Sequence, residues 1–194
     1  TIAAGQIRVG DAVVALPSGK QSKVKSIIAP SGEVNEAFVG QAITLTLENE
    51  IDISRGDMIV RADESQPTVS QAFDAHIVWM NESPLQVGKE YAFKLAGKSV
   101  FGRVEKVLHR VDVNTLEHFE AEQLALNEIG LCRINVNAPT VFDTYRECRS
   151  SGNLIVIDRL SNATAGAGMI VAAAHSEQTA NDADELARLR AFEV

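Results

Sequence analysis

Titratable and polar side chains cluster most densely between His109 and Thr115, where a histidine, an arginine and an aspartate fall within four positions. An imidazole close to a carboxylate can pass a proton, because histidine titrates near neutral pH. The same residues also alternate as they would along a strand that ends at a polar turn. We therefore take His109, Arg110 and Asp112 as candidate contacts with another domain or a partner, and assign none of them a catalytic role.

A second polar group, Asp158, Arg159 and Asn162, directly follows an apolar run at 154–157. An acid, a base and an amide this close together more often pair internally, or across a domain contact, than line a pocket. These three residues are therefore also candidate interdomain or partner contacts. The sequence predicts no catalytic, cofactor-binding or metal-ligating residue in this chain.

Two strings match the letters of catalytic motifs in the wrong context. Gly97-Lys98-Ser99 has the ending of a phosphate-binding loop, but that loop needs a glycine where this chain has Ala92, and a helix afterwards. Ser22 and Lys25 have the Ser-x-x-Lys spacing of serine acyl-enzymes but lie in a predicted strand. We expect a hairpin turn at the first string and ordinary strand positions at the second. Arg55-Gly56-Asp57 similarly predicts a turn that enters a strand.

The histidines and cysteines are too dispersed for a metal site. The four histidines lack short ligand spacings; they are His76, His109, His118 and His175. The two cysteines, Cys132 and Cys148, cannot form a disulfide framework or a zinc site. We predict that both are free thiols in a reducing compartment, with Cys132 buried in a strand and Cys148 in a loop.

Composition and charge exclude several classes of protein. Of 194 residues, 45% are hydrophobic and 23% charged, as in folded chains of one or two domains. The 26 acidic and 18 basic side chains give a net charge of -8, which argues against a broad nucleic-acid surface. No apolar run reaches the length of a membrane span, and the first residues do not read as a secretion signal. We expect a cytoplasmic protein without a membrane partner.

Short runs of strand-forming residues predict an all-β chain whose first domain comprises residues 1–63. Residues 11–16 and 21–28 are separated by a proline-glycine turn and predict a hairpin. Residues 42–47 alternate between apolar and polar as a half-buried strand does. These strands predict a small closed β-structure, and the polar, proline-containing stretch at 64–69 predicts a linker.

A second antiparallel barrel is predicted at 70–174, from short strands separated by turns. The surrounding pattern does not sustain a helical turn at 120–128. Residues 175–194 predict a flexible tail and a short helix that the sequence ends within, which favours a fragment of a longer protein. The strands of the second barrel are predicted at 71–80, 89–95, 99–108, 130–136, 153–157 and 166–173.

Several motifs together resemble one protein family. The run at 154–171, which contains Ile157-Asp158-Arg159-Leu160-Ser161-Asn162, is similar to the end of the third domain of GTPases related to elongation factor Tu. The run at 9–20 resembles the opening of their second domain, and Ile53-Ser54-Arg55-Gly56-Asp57 resembles its later part. With the run at 109–116, these motifs resemble one branch in particular, the large subunits of bacterial sulfate adenylyltransferase.

The resemblance implies two small antiparallel β-barrels, like domains II and III of elongation factor Tu, with a short C-terminal helical tail. It also implies an enzyme of two proteins that makes adenosine 5′-phosphosulfate and pyrophosphate from ATP and sulfate. The implied partners are the catalytic small subunit and the subunit's own N-terminal GTPase domain. GTP and magnesium belong to that domain, so we expect no cofactor in this chain and no activity from the chain alone.

An alternative from a different class is an RNA-binding barrel module of a translation elongation factor-like GTPase. Such a module needs a basic strip for the RNA backbone. The candidates for that strip are few: Lys20, Lys23, Lys25, Arg103, Lys106 and Arg110.

Overall fold

The computed structural model describes residues 1–112 and 115–174. Regular structure in these residues consists of fourteen β-strands. The expectation of an all-β chain is therefore confirmed. The tail and helix predicted at 175–194 lie outside the described residues.

The first seven strands form two sheets. One sheet is the antiparallel pair β1–β5, and the other has the order β4-β3-β2-β7 with β6 paired to β3. Apolar side chains from both sheets, including Ile7, Val13, Val24 and Ile27, share one core. The strands are β1 Gln6–Arg8, β2 Ala12–Leu16, β3 Lys20–Ala29, β4 Gly32–Val34, β5 Glu36–Phe38, β6 Thr44–Leu47 and β7 Met58–Arg61.

The remaining seven strands contain a closed barrel. Six of them pair in the order β10-β12-β8-β14-β13-β9, and β9 pairs back to β10, so the ring has no free edge. The short β11 pairs antiparallel with the last residues of β10. These strands are β8 Thr68–Trp79, β9 Glu90–Leu95, β10 Lys98–Val111, β11 His118–Phe119, β12 Ile129–Phe142, β13 Asn153–Asp158 and β14 Thr164–Ala173.

The barrel core follows from alternation along each strand. In β8, Phe73, Ala75, Ile77 and Trp79 are buried, and the residues between them are half-buried. Successive side chains of a strand point to opposite faces, so the intervening residues lie on the outer wall. The buried Trp79 also carries a polar group, and its indole nitrogen donates a hydrogen bond of 2.8 Å to the carbonyl oxygen of Ser83.

The predicted turns and strands can be compared with this architecture. Ala96 and Gly97 form the hairpin between β9 and β10, as expected, and both have positive φ angles. Residues 120–128 form turns and loop, which agrees with the rejection of a helical turn. β10 and β12 run longer than predicted. The linker at 64–69 stays a prediction; strand pairing changes from one set of sheets to the other between β7 and β8.

Candidate functional site

His109 lies on the outer wall of the barrel in a cluster of three histidines. Its ring stacks on that of His118, with centroids 3.9 Å apart and planes 16° apart. Leu131 of β12 pairs with His109 on one side and with His76 on the other, so the side chains of His76, Leu131 and His109 lie on one face of the sheet. The cluster therefore joins three strands, β8, β10 and β11.

Burial and mutual repulsion disfavour the charged forms of His109 and His76. Burial lowers the pKa of His109, and the charge of His118 lowers it further. Burial also lowers the pKa of His76, with added repulsion from His109 and His118. The Nε2 atom of His109 is buried and has no hydrogen-bond partner among the described residues. Asp112 accepts a hydrogen bond of 3.0 Å from the backbone N–H of Thr115.

Arg110 fastens the end of β10 to the loop before β12. Its guanidinium forms an ion pair with Glu128 and lies over the ring of Phe119, 5.7 Å from the centroid. The backbone N–H of Ala125 donates to the same carboxylate at 2.8 Å and, together with Arg110, lowers the pKa of Glu128. Arg110 is therefore engaged within the fold.

Asp158 organises the turn between β13 and β14. Its Oδ1 accepts hydrogen bonds of 3.0 Å from the backbone N–H groups of Leu160 and Ser161, and its Oδ2 accepts one of 2.7 Å from Nζ of Lys89. These donors, Lys89 first and then Ser161, hold the pKa of Asp158 well below its usual range. The backbone of Asn162 has a φ of 56° and donates 2.9 Å to the carbonyl oxygen of Asp158, which closes the turn.

Arg159 points to the outer wall from the same turn. It forms an ion pair of 2.6 Å with Glu90 and lies over Phe101 at 4.5 Å from the ring centroid. Asp158 and Asn162 thus shape the turn, while Arg159 contacts the neighbouring strands.

The two predicted polar groups lie apart on the barrel. Asp158 pairs with Tyr91 of β9, and Tyr91 pairs with Gly102 of β10. His109 lies seven positions beyond Gly102 on that strand, which is about 20 Å at the usual rise per residue. The candidate residues do not converge on a single centre.

A cleft of about 340 Å³ lies beside the Asp158 turn, and several of the polar groups that line it are hydrogen-bonded within the fold. The Tyr91 hydroxyl at its wall accepts a hydrogen bond of 3.1 Å from the backbone N–H of Gln86. Lys89 is bound to Asp158. The Ser161 hydroxyl donates a hydrogen bond of 3.1 Å to Oδ1 of Asp158, but this carboxylate is a weak base because Lys89 and Ser161 hold its pKa well below its usual range.

The other sequence candidates have structural explanations. Ser22 is buried on β3 and accepts a hydrogen bond of 3.1 Å from the N–H of Asn49, while Lys25 is exposed, so the two lie on opposite faces. Across residues 1–112 and 115–174, no group of three or more acidic, histidine or cysteine side chains is arranged to hold a metal ion. The same residues contain no helix of the length and apolarity that crossing a membrane requires.

The thiols are free, as predicted, and differ in environment. Burial raises the pKa of Cys132 to about 12, with a contribution from Asp74. Burial also acts to raise the pKa of Cys148, but hydrogen bonds with Ser150 and Ser151 outweigh it and lower the pKa overall. Cys148 is therefore the more reactive thiol.

Sequence reasoning missed the histidine cluster and the surroundings of Arg159. Alternation along β8 and β10 predicts that His76 and His109 face outward, but their convergence depends on the register of β12 between them. Phe101, which receives the guanidinium of Arg159, is 58 positions away in sequence. Spacing along the chain carries no signal for either contact.

A closed six-stranded barrel beside smaller sheets also occurs among solved structures of other proteins. The structure of sup35 complexed with GDP matches it with a TM-score of 0.80, at 16% identity, over 89% of this chain and 43% of that chain. At this identity the likeness shows the fold. The family model for the GTP-eEF1A C-terminal domain-like family matches residues 72–171, which are the body of the barrel. The chain belongs to this family.

Closer relatives confirm the branch expected from the sequence. A protein of Chromobacterium violaceum named sulfate adenylyltransferase subunit 1 is 66% identical over 172 residues, which are 89% of this chain and 36% of that protein. The protein of the same name from Laribacter hongkongensis is 53% identical over 194 residues, which are 100% of this chain and 40% of that protein. The chain thus spans well under half the length of these relatives.

Proposed function

We propose that this chain is the non-catalytic β-portion of the GTP-hydrolysing subunit of sulfate adenylyltransferase. That enzyme converts ATP and sulfate into adenosine 5′-phosphosulfate and pyrophosphate. The observation that carries the proposal is the 66% identity over 172 residues to a protein named as subunit 1 of this enzyme. The engagement of Arg110, Asp158 and Arg159 in internal contacts supports a structural role for the chain's own polar groups.

In this proposal the chemistry takes place on other parts of the enzyme. GTP and magnesium bind in an N-terminal GTPase domain, and ATP and sulfate react on the catalytic small subunit. This chain binds neither nucleotide and is inactive alone. It acts in the cytoplasm, in contact with both the small subunit and its own GTPase domain.

The connection between β7 and β8 is the element through which the chain would couple the two reactions. Two rigid β-units joined by a short segment can rotate as bodies and transmit a switch. Arg61 at the end of β7 forms ion pairs of 2.6 Å with Asp63 and 3.1 Å with Glu64, and its carbonyl oxygen accepts a hydrogen bond from Gln66. These contacts order the segment, so its length should affect the transmission.

The test uses the full-length subunit with the catalytic small subunit, and measures adenosine 5′-phosphosulfate formed per GTP hydrolysed. Deleting two residues within 64–66 should leave GTP hydrolysis intact and lower this ratio about 10-fold, within the usual range of coupling between sites. A two-glycine insertion after Ser31, in an exposed turn of the first unit, is the control and should leave the ratio unchanged. An unchanged ratio in the deletion variant would overturn the coupling role.

A binding comparison separates this proposal from the RNA-binding alternative. The full-length subunit should form a complex with the small subunit and should not retain aminoacyl-tRNA under the same conditions. Retention of tRNA without the small subunit would instead assign the chain to an RNA-binding module.

A further inference from the structure

The turn between β13 and β14 presents a leucine to solvent on a fixed backbone. Leu160 is 89% exposed, the most exposed of the large apolar side chains in the described ranges. The backbone around it is held at both ends, because Asp158 accepts hydrogen bonds from the N–H groups of Leu160 and Ser161. A rigid apolar projection loses little conformational entropy when it docks, which favours a role in binding.

Further apolar side chains continue from this turn across the barrel wall. Phe101 of β10 pairs with Ala92 of β9, and Ala92 pairs with Ile157 of β13, so these three share the outer face. Ile155 lies one row further along the same face. Phe101 and Ile155 are 43% and 40% exposed. We call Leu160, Phe101, Ile155 and Ile157 the turn patch.

Basic side chains edge the turn patch, although the chain as a whole is acidic, with a net charge of -8. Lys94 pairs with Ile155 across the sheet, and Arg103 pairs with Glu90. Lys94 and Arg103 are exposed and form no ion pair with a described residue, while Glu90 is occupied by Arg159. The charge that complements this edge is negative.

We propose that the turn patch docks a folded protein partner whose surface has an apolar pocket for Leu160 and carboxylates that face Lys94 and Arg103. The inference rests on the proposed function, in which that partner is the catalytic subunit of the enzyme. An apolar anchor inside a charged rim is the usual composition of a specific protein interface.

The geometry argues against two other occupants of such a surface. Single-stranded RNA is bound by stacking bases on open aromatic faces, but one face of the Phe101 ring is occupied by Arg159, which Glu90 holds at 2.6 Å. In a two-fold contact with a second copy of the chain, the turn patch would meet another turn patch. Glu90, the carboxylate beside the patch, is already paired with Arg159, so a second copy complements Lys94 and Arg103 poorly.

The experiment measures the dissociation constant of the full-length subunit and the catalytic subunit by titration calorimetry. Leu160→Asp should weaken binding at least ~30-fold, as expected for a central anchor. Arg103→Glu should weaken it roughly 5-fold and reduce its dependence on salt. Leu116→Asp is the matched control, a leucine that is 72% exposed in a different turn, and should bind within about 2-fold of the wild type.

Each outcome decides between the proposals. Equal affinity of Leu160→Asp and Leu116→Asp would overturn the docking inference and leave the proposed function in place. Absence of a complex with the wild-type subunit would overturn both. Two further results would also overturn the inference. If Leu160→Asp abolishes retention of RNA, the turn patch binds RNA; if it abolishes self-association in sedimentation, the turn patch binds a second copy of the chain. Melting of Leu160→Asp within about 2 °C of the wild type shows that the turn itself is intact.

Discussion

Substituting Gly102 tests the closure of the barrel, because this glycine of β10 lies against the backbone of β12. A Cβ atom at this position would lie 2.3 Å from the carbonyl oxygen of Asn135 and 2.9 Å from Cα of Val136. Carbon and oxygen atoms in contact across strands are about 3.3 Å apart. Gly102→Ala therefore requires a separation of about 1 Å between two paired backbones, and neither can yield as a side chain would.

The expected cost follows from two opposing effects. Inserting a methyl group into a packed interior costs about 1–3 kcal/mol, and the upper end applies where the obstacle is backbone. Alanine recovers up to ~1 kcal/mol because glycine is disfavoured within a strand. The net loss is about 2 kcal/mol in the free energy of unfolding, which corresponds to a fall of roughly 8–16 °C in the melting temperature of a barrel of this size.

Scanning calorimetry of the purified chain measures this change. Ser99→Ala, on the same strand and on its exposed face, is the control and should melt within about 2 °C of the wild type. If Gly102→Ala melts as the control does, the two strands can separate at little cost, and the reasoning from close approach is wrong.

Three further measurements test the environments of particular side chains. Ellman's reagent should modify one thiol quickly in the native chain, Cys148, and two after unfolding in guanidinium, because Cys132 is buried with a pKa of about 12. Folding lowers the pKa values of His76 and His109, so the unfolded chain takes up protons first as the pH falls. The free energy of unfolding should therefore fall as the pH drops below about 6.5. Urea titrations at pH 7.5 and 5.5 measure this change in the free energy of unfolding, which should be smaller in a variant with glutamine at both positions. The single tryptophan, Trp79, is 2% exposed, so acrylamide should quench its fluorescence several-fold less in the native chain than in urea, and equal quenching would place it at the surface.

Local sequence pattern predicted the longer strands, but not the short strands β1, β4, β5 and β11. The alternation of buried Val24 with exposed Lys23 and Lys25 is visible in the letters, and so is the glycine that permits the tight turn at Ala96 and Gly97. β10 was predicted too short because its last residues, including His109 and Arg110, are polar. Those residues remain in the strand because they pair with β12 and β11, which a local pattern does not record.

The candidate site was predictable only as a set of polar residues. Asp158 was expected to pair internally or across a domain contact, but its partner Lys89 lies 69 positions earlier, and Phe101 lies 58 positions before Arg159. The exposure of Leu160 was not foreseen either, since an isolated leucine in a turn has no periodicity to judge by. These contacts depend on cross-strand register, which is fixed only when the barrel closes.

Two of the three motif-like strings of the chain contact each other in the structure. A Cβ atom on Gly56, in the turn before β7, would lie 2.7 Å from Cβ of Lys98 at the start of β10. Gly56 also has a φ of +97°, which side-chain-bearing residues rarely adopt. Lys98 in turn donates a hydrogen bond of 3.0 Å to the carbonyl oxygen of Pro139. The glycine of Arg55-Gly56-Asp57 and the lysine of Gly97-Lys98-Ser99 are therefore accounted for by the packing of one β-unit against the other. A short string of residues has a function only where the structural element that contains it supports that function. Here the two strings lie at turns that contact each other.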